Sequence, residues 1–400
     1  MKLKFTTLVV MLLWALNSSA QTIPSPKFGK GLFNLVGQDS SWTMKIGTRM
    51  QFLGIANWTA TDGELRDPES SFLIRRARLK FDGYAFSPKL KYKIELGLSN
   101  KDIGGASKYT NNAPRYILDG VLKWNAVENL HIWIGQTKLP GNRERIISSA
   151  NLQQVDRSLL NKHFNIDRDL GIQLHHHIKV SNKFIIREIF AFSQGEGRNI
   201  TKGNLGGHQY TGKLEFLPLG YFASKGDYKG SDLKREQSPK LSLTMAYDFN
   251  NNAVKTRSNQ GSYMETDYGF HETNISTLFV GTMFKYKGFS FMGEYANRDA
   301  DNPIAKNSDG TETGAIVGVG ESLNLQSGYL FKKNWEVSGR FTNVNWDEQI
   351  TGKAAQNQYT FGVSKYLAGH SLKVQSDISY LDVSGGSNEL MMRLQMDIHF

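Results

Sequence analysis

Cysteine is absent from the 400-residue chain, so neither a disulfide nor a thiolate zinc site can brace it in any compartment. Beyond the first twenty residues no apolar run approaches the ~20 residues that a membrane helix needs. No G-x-S-x-G elbow and no zinc-binding helix motif occurs, which removes two common signatures of a hydrolase. Mean hydropathy is low at −0.42, yet aromatic residues make up 12% of the chain and glycines number 39. That combination fits strands whose polar lumen face cancels an apolar lipid face.

What is present alternates. Met392, Leu394, Met396, Ile398 and Phe400 are apolar, and Arg393, Gln395, Asp397 and His399 between them are polar. A period of two marks a strand with one apolar and one wet face. An apolar strand edge left unprotected would recruit other chains, whereas a barrel closes its last strand on its first. The same alternation runs through 42–58, 72–84 and 89–99 and recurs in further segments, predicting an all-β fold: a transmembrane antiparallel barrel of about sixteen strands. Short turns, such as Ser87-Pro88 and Lys287-Gly288, alternate with long polar loops, such as 59–70, 99–114 and 138–167. Residues 218–239 break that rule, falling where a short turn belongs. Trp42, Trp58, Trp124 and Trp335 sit near strand ends, as interfacial aromatics do.

The first twenty residues read as a signal peptide. Lys2 and Lys4 supply its charge, Leu8 to Leu16 its apolar run, and Ser18-Ser19-Ala20 its cleavage site. Residues 21–400 would then form one outer-membrane barrel domain, in contact with lipid and lipopolysaccharide.

Formal charge is +11, or +9 without Lys2 and Lys4, and an excess of this sign suggests an anionic partner. Arg76, Arg78 and Lys80 share one face of a strand, and Lys89, Lys91 and Lys93 share one face of the next. Lys45 and Arg49 join them from the strand before. A basic residue facing lipid at the midplane costs roughly 2–4 kcal/mol, so these faces should point into the lumen and concentrate small anions there rather than nucleic acid. Arg75 falls on the opposite face, where a rim position or a subunit contact would relieve its cost. Asp82, Glu95, Asp119 and Asp169 could neutralise part of the charge. Lys138 to Arg168 forms a long segment rich in bases, among them Lys138, Arg143 and Arg145. Folded inward, it would narrow the pore.

The runs FLIRRARLKFDGYAFSPKLKYKIELGLS, ILDGVLKW and IWIGQTKLPGNRERIISSANLQQVDRS resemble the phosphate-selective porin O and P family in its Bacteroidota form. YTGKLEFLPLGYF and SPKLSLTMAYDFN look like later blocks of it. The resemblance implies a sixteen-stranded outer-membrane homotrimer whose third extracellular loop folds inward. It also implies an arginine ladder leading to a constriction with lysines and an aspartate. By position Arg75 and Arg76 match the ladder, Asp119 the aspartate, and Lys138 to Arg168 the inward loop. Passive diffusion of phosphate, polyphosphate or other small anions is the function expected, with no cofactor. General nutrient diffusion and a non-conducting barrel with binding loops stay open. His175, His176 and His177 could offer at most two side chains from one strand face to a metal, and no metal is expected there.

Overall fold

Period-two alternation becomes a continuous ladder in the computed structural model, which describes residues 26–61, 63–202 and 204–400. The signal peptide expected over residues 1–20 lies outside the described residues. Sixteen antiparallel strands close into a barrel. In chain order they are β1 Thr43–Thr61, β2 Glu64–Ala85, β3 Ser87–Gly97, β4 Ile117–Val127, β5 Leu130–Lys138, β6 Arg168–Lys179, β7 Ile185–Ser193 and β8 Gln209–Leu217. The second half comprises β9 Lys240–Ala253, β10 Thr273–Tyr286, β11 Phe289–Ala300, β12 Gly320–Leu330, β13 Trp335–Trp346, β14 Gln356–Tyr366, β15 Leu372–Val383 and β16 Asn388–His399. Each strand pairs with the next, and β16 returns to β1, from Arg49 opposite His399 to Ala60 opposite Asn388. Closure removes the open edge that lipid would leave unsatisfied. Below that seam a short strand, Phe33–Val36, continues along β1, and Phe28 meets the Phe400 ring edge-on at 5.5 Å.

Burial is inverted relative to a water-soluble domain. On β16, Met392, Leu394 and Met396 are exposed while Arg393, Gln395 and Asp397 are buried. On β8, Gln209, Thr211, Lys213 and Glu215 are buried while Tyr210 and Leu214 are exposed. Polar side chains thus fill the interior and apolar ones form an outer band, the arrangement of a membrane barrel.

One expected loop is not a loop. Residues 59–61 and 64–70 continue the β1–β2 ladder to Thr61 opposite Glu64, so these strands reach 19 and 22 residues. Residues 59–61 are half-buried and 64–70 exposed and mostly polar; neither run carries hydrophobic alternation, but backbone pairing does not require it.

Two connections enter the interior. Residues 139–167 leave the long-loop end between β5 and β6 and carry two short helices, α1 Arg143–Ile146 and α2 Leu159–Phe164. Ser158 caps α2 by accepting from the Asn161 amide. Leu159, Leu160 and Phe164 then pack against Ala191, Phe279, Ala296 and Val344 on the inner wall. Residues 218–239 lie at the short-turn end between β8 and β9, so the strand count stands. They are long because they turn back among buried polar wall residues. Lys285 on β10 donates to the carbonyls of Gly226, Lys229 and Ser231, each at 2.8 Å. Glu336 on β13 accepts from Ser231 at 2.6 Å. The two connections meet where the Gly230 amide donates to the Asn151 carbonyl at 2.8 Å. A Cβ on Gly230 would lie 2.6 Å from the Gln153 nitrogen, so glycine permits the approach.

Candidate functional site

The basic wall begins with a slip in register. Gln51 pairs with Arg76 but Phe52 pairs with Ile74, leaving Arg75 as the extra residue of a β-bulge. Such a bulge re-aims a side chain. Arg75 therefore does not face away from Arg76, nor does it sit at the rim. Both guanidiniums reach Asp156 of the inward segment, at 2.9 and 3.3 Å. The slip also carries Leu73 to the inner face, opposite buried Leu53, and leaves Phe72 and Ile74 exposed outside.

Two cavities lie along this wall. The outer one, about 540 Å³, is lined by Arg75, Arg76, Arg78, Lys101, Lys138, Arg145, Arg157, Lys162, Arg168, Arg198, Arg340 and Arg393. Against these twelve bases stand four acids among the described residues, Asp102, Asp156, Asp167 and Glu389. The inner cavity, about 630 Å³, opens toward the short-turn end and includes Lys93, Glu95, Asp119 and Arg187. Arg78, Lys138 and Arg168 line both cavities and mark the constriction between them.

The constriction mixes cancelled and uncancelled charge. Arg78 donates to Asp102 at 2.6 and 2.9 Å and to Glu95 at 2.9 Å. Arg168 donates to Asp119 at 2.9 Å, and Lys93 bridges Asp119 and Glu95. Lys138 differs. Its ammonium donates to the carbonyls of Arg145, Ile146 and Ile147 at 2.7, 3.2 and 3.2 Å, at the end of α1. Arg157 likewise donates to the Glu144 and Ile147 carbonyls at 3.0 and 2.8 Å. Neither base has a carboxylate ion-pair partner among the described residues, so no ion pair cancels the charge either carries.

Burial alone would raise the Asp156 carboxyl, but Arg75 and Arg76 reverse this and hold it well below the usual carboxylate range. Asp167 follows the same pattern beside Arg145 and Arg168. Asp156 thereby pins the inward segment to the wall, and Asp167 ties the end of that segment to its own Arg145, both through charge-assisted bonds.

Of the twelve residues singled out by sequence, Arg75, Arg76, Arg78, Lys138 and Arg145 line the outer cavity, and Lys93 and Asp119 the inner one. The other five stand apart from both. Arg49 is buried in a bidentate pair with Asp397, at 2.6 and 2.9 Å, and holds Ser149 at 2.6 Å. Arg143 is buried between the Asp227 carbonyl and the Ser242 hydroxyl, at 2.8 and 2.7 Å. Both brace the insertions rather than face a passing ion. Lys45, Lys80 and Lys91 sit toward the turn ends of β1, β2 and β3. Lys80 there pairs with Asp82 at 2.9 Å. Lys101, Arg198, Arg340 and Arg393 join the outer cavity without having been singled out as site residues. For Arg340 the available signal was its place between Gly339 and Phe341 on an alternating strand.

A family model described as phosphate-selective porin O and P matches residues 53–391. An uncharacterized protein of Aquifex aeolicus (strain VF5) is 22% identical over 357 residues, spanning 83% of this chain and 81% of its own. Among solved structures, the anion-selective porin from Comamonas acidovorans gives a TM-score of 0.55 at 11% identity, covering 90% of this chain and 100% of that one. In vitro folded OmpT of Vibrio cholerae, an outer membrane protein in trimer form, gives 0.51 at 10% identity, with coverage of 90% and 100%. At these identities the solved structures speak for the fold.

Proposed function

The chain belongs to the phosphate-selective porin O and P family, and from that premise we propose that its outer-membrane barrel passes small oxyanions by diffusion, phosphate foremost. The observation that carries this reading is the outer cavity, where twelve bases face four acids among the described residues. A narrow passage with low-dielectric walls focuses such a field and concentrates anions. Arginine forks match the oxygens of phosphate in geometry as well as charge. Arg157, its side chain held only by carbonyls, offers positive charge above the constriction. Bonds shared with the wall keep each contact weak enough for an ion to leave.

The purified protein in a planar bilayer under a KCl gradient tests this. Anion preference in the reversal potential, and reduction of the chloride current by added phosphate, are expected. Cation preference would overturn the reading. The meeting of the two insertions at Gly230 and Asn151 favours a second reading, a closed barrel whose loops bind a partner. Absence of any channel in the same bilayer would support it.

We further infer that the protein works as a homotrimer seated among lipid and lipopolysaccharide. The apolar outer band supports the lipid contact, and the trimer form of the V. cholerae protein supports the assembly. Cross-linking in native membranes is expected to trap a trimer.

A further inference from the structure

We infer that the inner cavity holds a subsite for organic anions that carry a flat ring, an inference resting on the anion-pore reading above. The two cavities share Arg78, Lys138 and Arg168 but differ in what surrounds those bases. Among the described residues no aromatic side chain lines the outer cavity. The inner one gathers them from two separate parts of the chain. On the barrel wall, Trp133 of β5 stacks on His175 of β6 with centroids 3.9 Å apart. The Lys123 ammonium lies 3.5 Å from the centroid of the same Trp133 ring. The other part is the inserted segment 218–239, which contributes Tyr221 and Tyr228 to the lining. The Arg187 guanidinium sits 5.5 and 5.6 Å from those two rings. Tyr221 remains 44% exposed, leaving part of its ring open.

Inorganic phosphate gains nothing from rings, because it has no apolar surface to bury and every oxygen seeks a donor. A lumen built for it alone would be polar, as the inner face of β8 is at Gln209, Thr211, Lys213 and Glu215. An anion with a flat ring uses both features. Its charged group would meet Lys225 of the inserted segment, which lines the same cavity with no carboxylate partner among the described residues, and its ring would lie against Tyr221 and His175, gaining offset-stacking and cation–π attraction. The inserted segment, which sequence marked only as too long for a turn, thereby supplies half of the subsite.

Block of the chloride current separates the alternatives, with phenyl phosphate and inorganic phosphate as matched probes in a planar bilayer. Phenyl phosphate is expected to halve the current at a concentration roughly three- to tenfold lower than inorganic phosphate does. Trp133→Ala and Tyr221→Ala should each bring phenyl phosphate closer to the inorganic value while leaving the inorganic block unchanged. Should Trp133→Ala fail to fold, Tyr221→Ala alone decides, since its side chain is exposed. Equal block by the two probes in the parent protein would overturn the subsite and leave the anion pore standing. A preference that survives Tyr221→Ala would overturn its assignment to this surface. Cation preference without phosphate block would overturn the pore reading itself.

Discussion

Lys138 and Arg157 are held by carbonyl oxygens, whereas Arg78 and Arg168 are held by carboxylates. A carbonyl dipole steadies a cation without cancelling its charge; a carboxylate cancels it. Selectivity should therefore depend on individual bases in proportion to what they lack, not to how many stand in a row. Arg157→Gln is expected to shift the reversal potential toward cations. Lys80→Gln should leave it nearly unchanged, because Lys80 lies outside both cavities and is matched by Asp82 at 2.9 Å. The carboxylates give a pH expectation with a definite sign. Asp156 and Asp167 are both depressed below their ordinary range by neighbouring arginines, against the effect of burial. A depressed carboxyl stabilises the fold fully above its unfolded pKa and loses that contribution only as pH falls through the lower folded value. Protection of residues 139–167 from protease should thus stay flat from about pH 8 to about pH 5 and fall only in stronger acid. Loss of protection centred near pH 5 would mean that these pairs do not hold the segment.

Among elements, α2 shows how apolar packing serves a polar passage. Phe164 is fully buried against the Trp346 ring at 5.2 Å, and through it the inward segment is fastened to the far wall. Phe164→Ala should cost about 3–5 kcal/mol of packing, read as a lower thermal midpoint and as larger, noisier single-channel conductance. The β2 bulge is the element where local reading fell short. Apolar residues fall at 72 and 74 and then at 77, 79 and 81, a change of parity that marks one extra residue between them. Read as a single face, that pattern sent Arg75 outward; the pairing with β1 sends it in. For 218–239 the length was legible as an anomaly. Its destination was not, because the partners that receive it, Lys285 and Glu336, lie 46 or more residues further along the chain.

At the scale of the whole molecule, inverted burial is what suits the barrel to a bilayer, and it makes the two faces respond oppositely to charge. Leu394 is 58% exposed on the outer face, so Leu394→Arg should cost roughly 2–4 kcal/mol near the midplane and slow refolding into lipid vesicles. A base on the inner face of the same strand, Arg393, is tolerated because Asp377 receives it twice at 2.7 Å. Period two is a local property carried by each strand in its own residues. By itself, therefore, the sequence determined the membrane barrel, the number of its strands, and the facing of most side chains. Which bases meet across the lumen, which are cancelled, and which only brace an insertion were decided by tertiary structure. Those outcomes depend on partners such as Asp397 for Arg49 and Asp156 for Arg75, brought together by closure and by inward folding. A pattern read over ten residues contains no term for a contact made across three hundred.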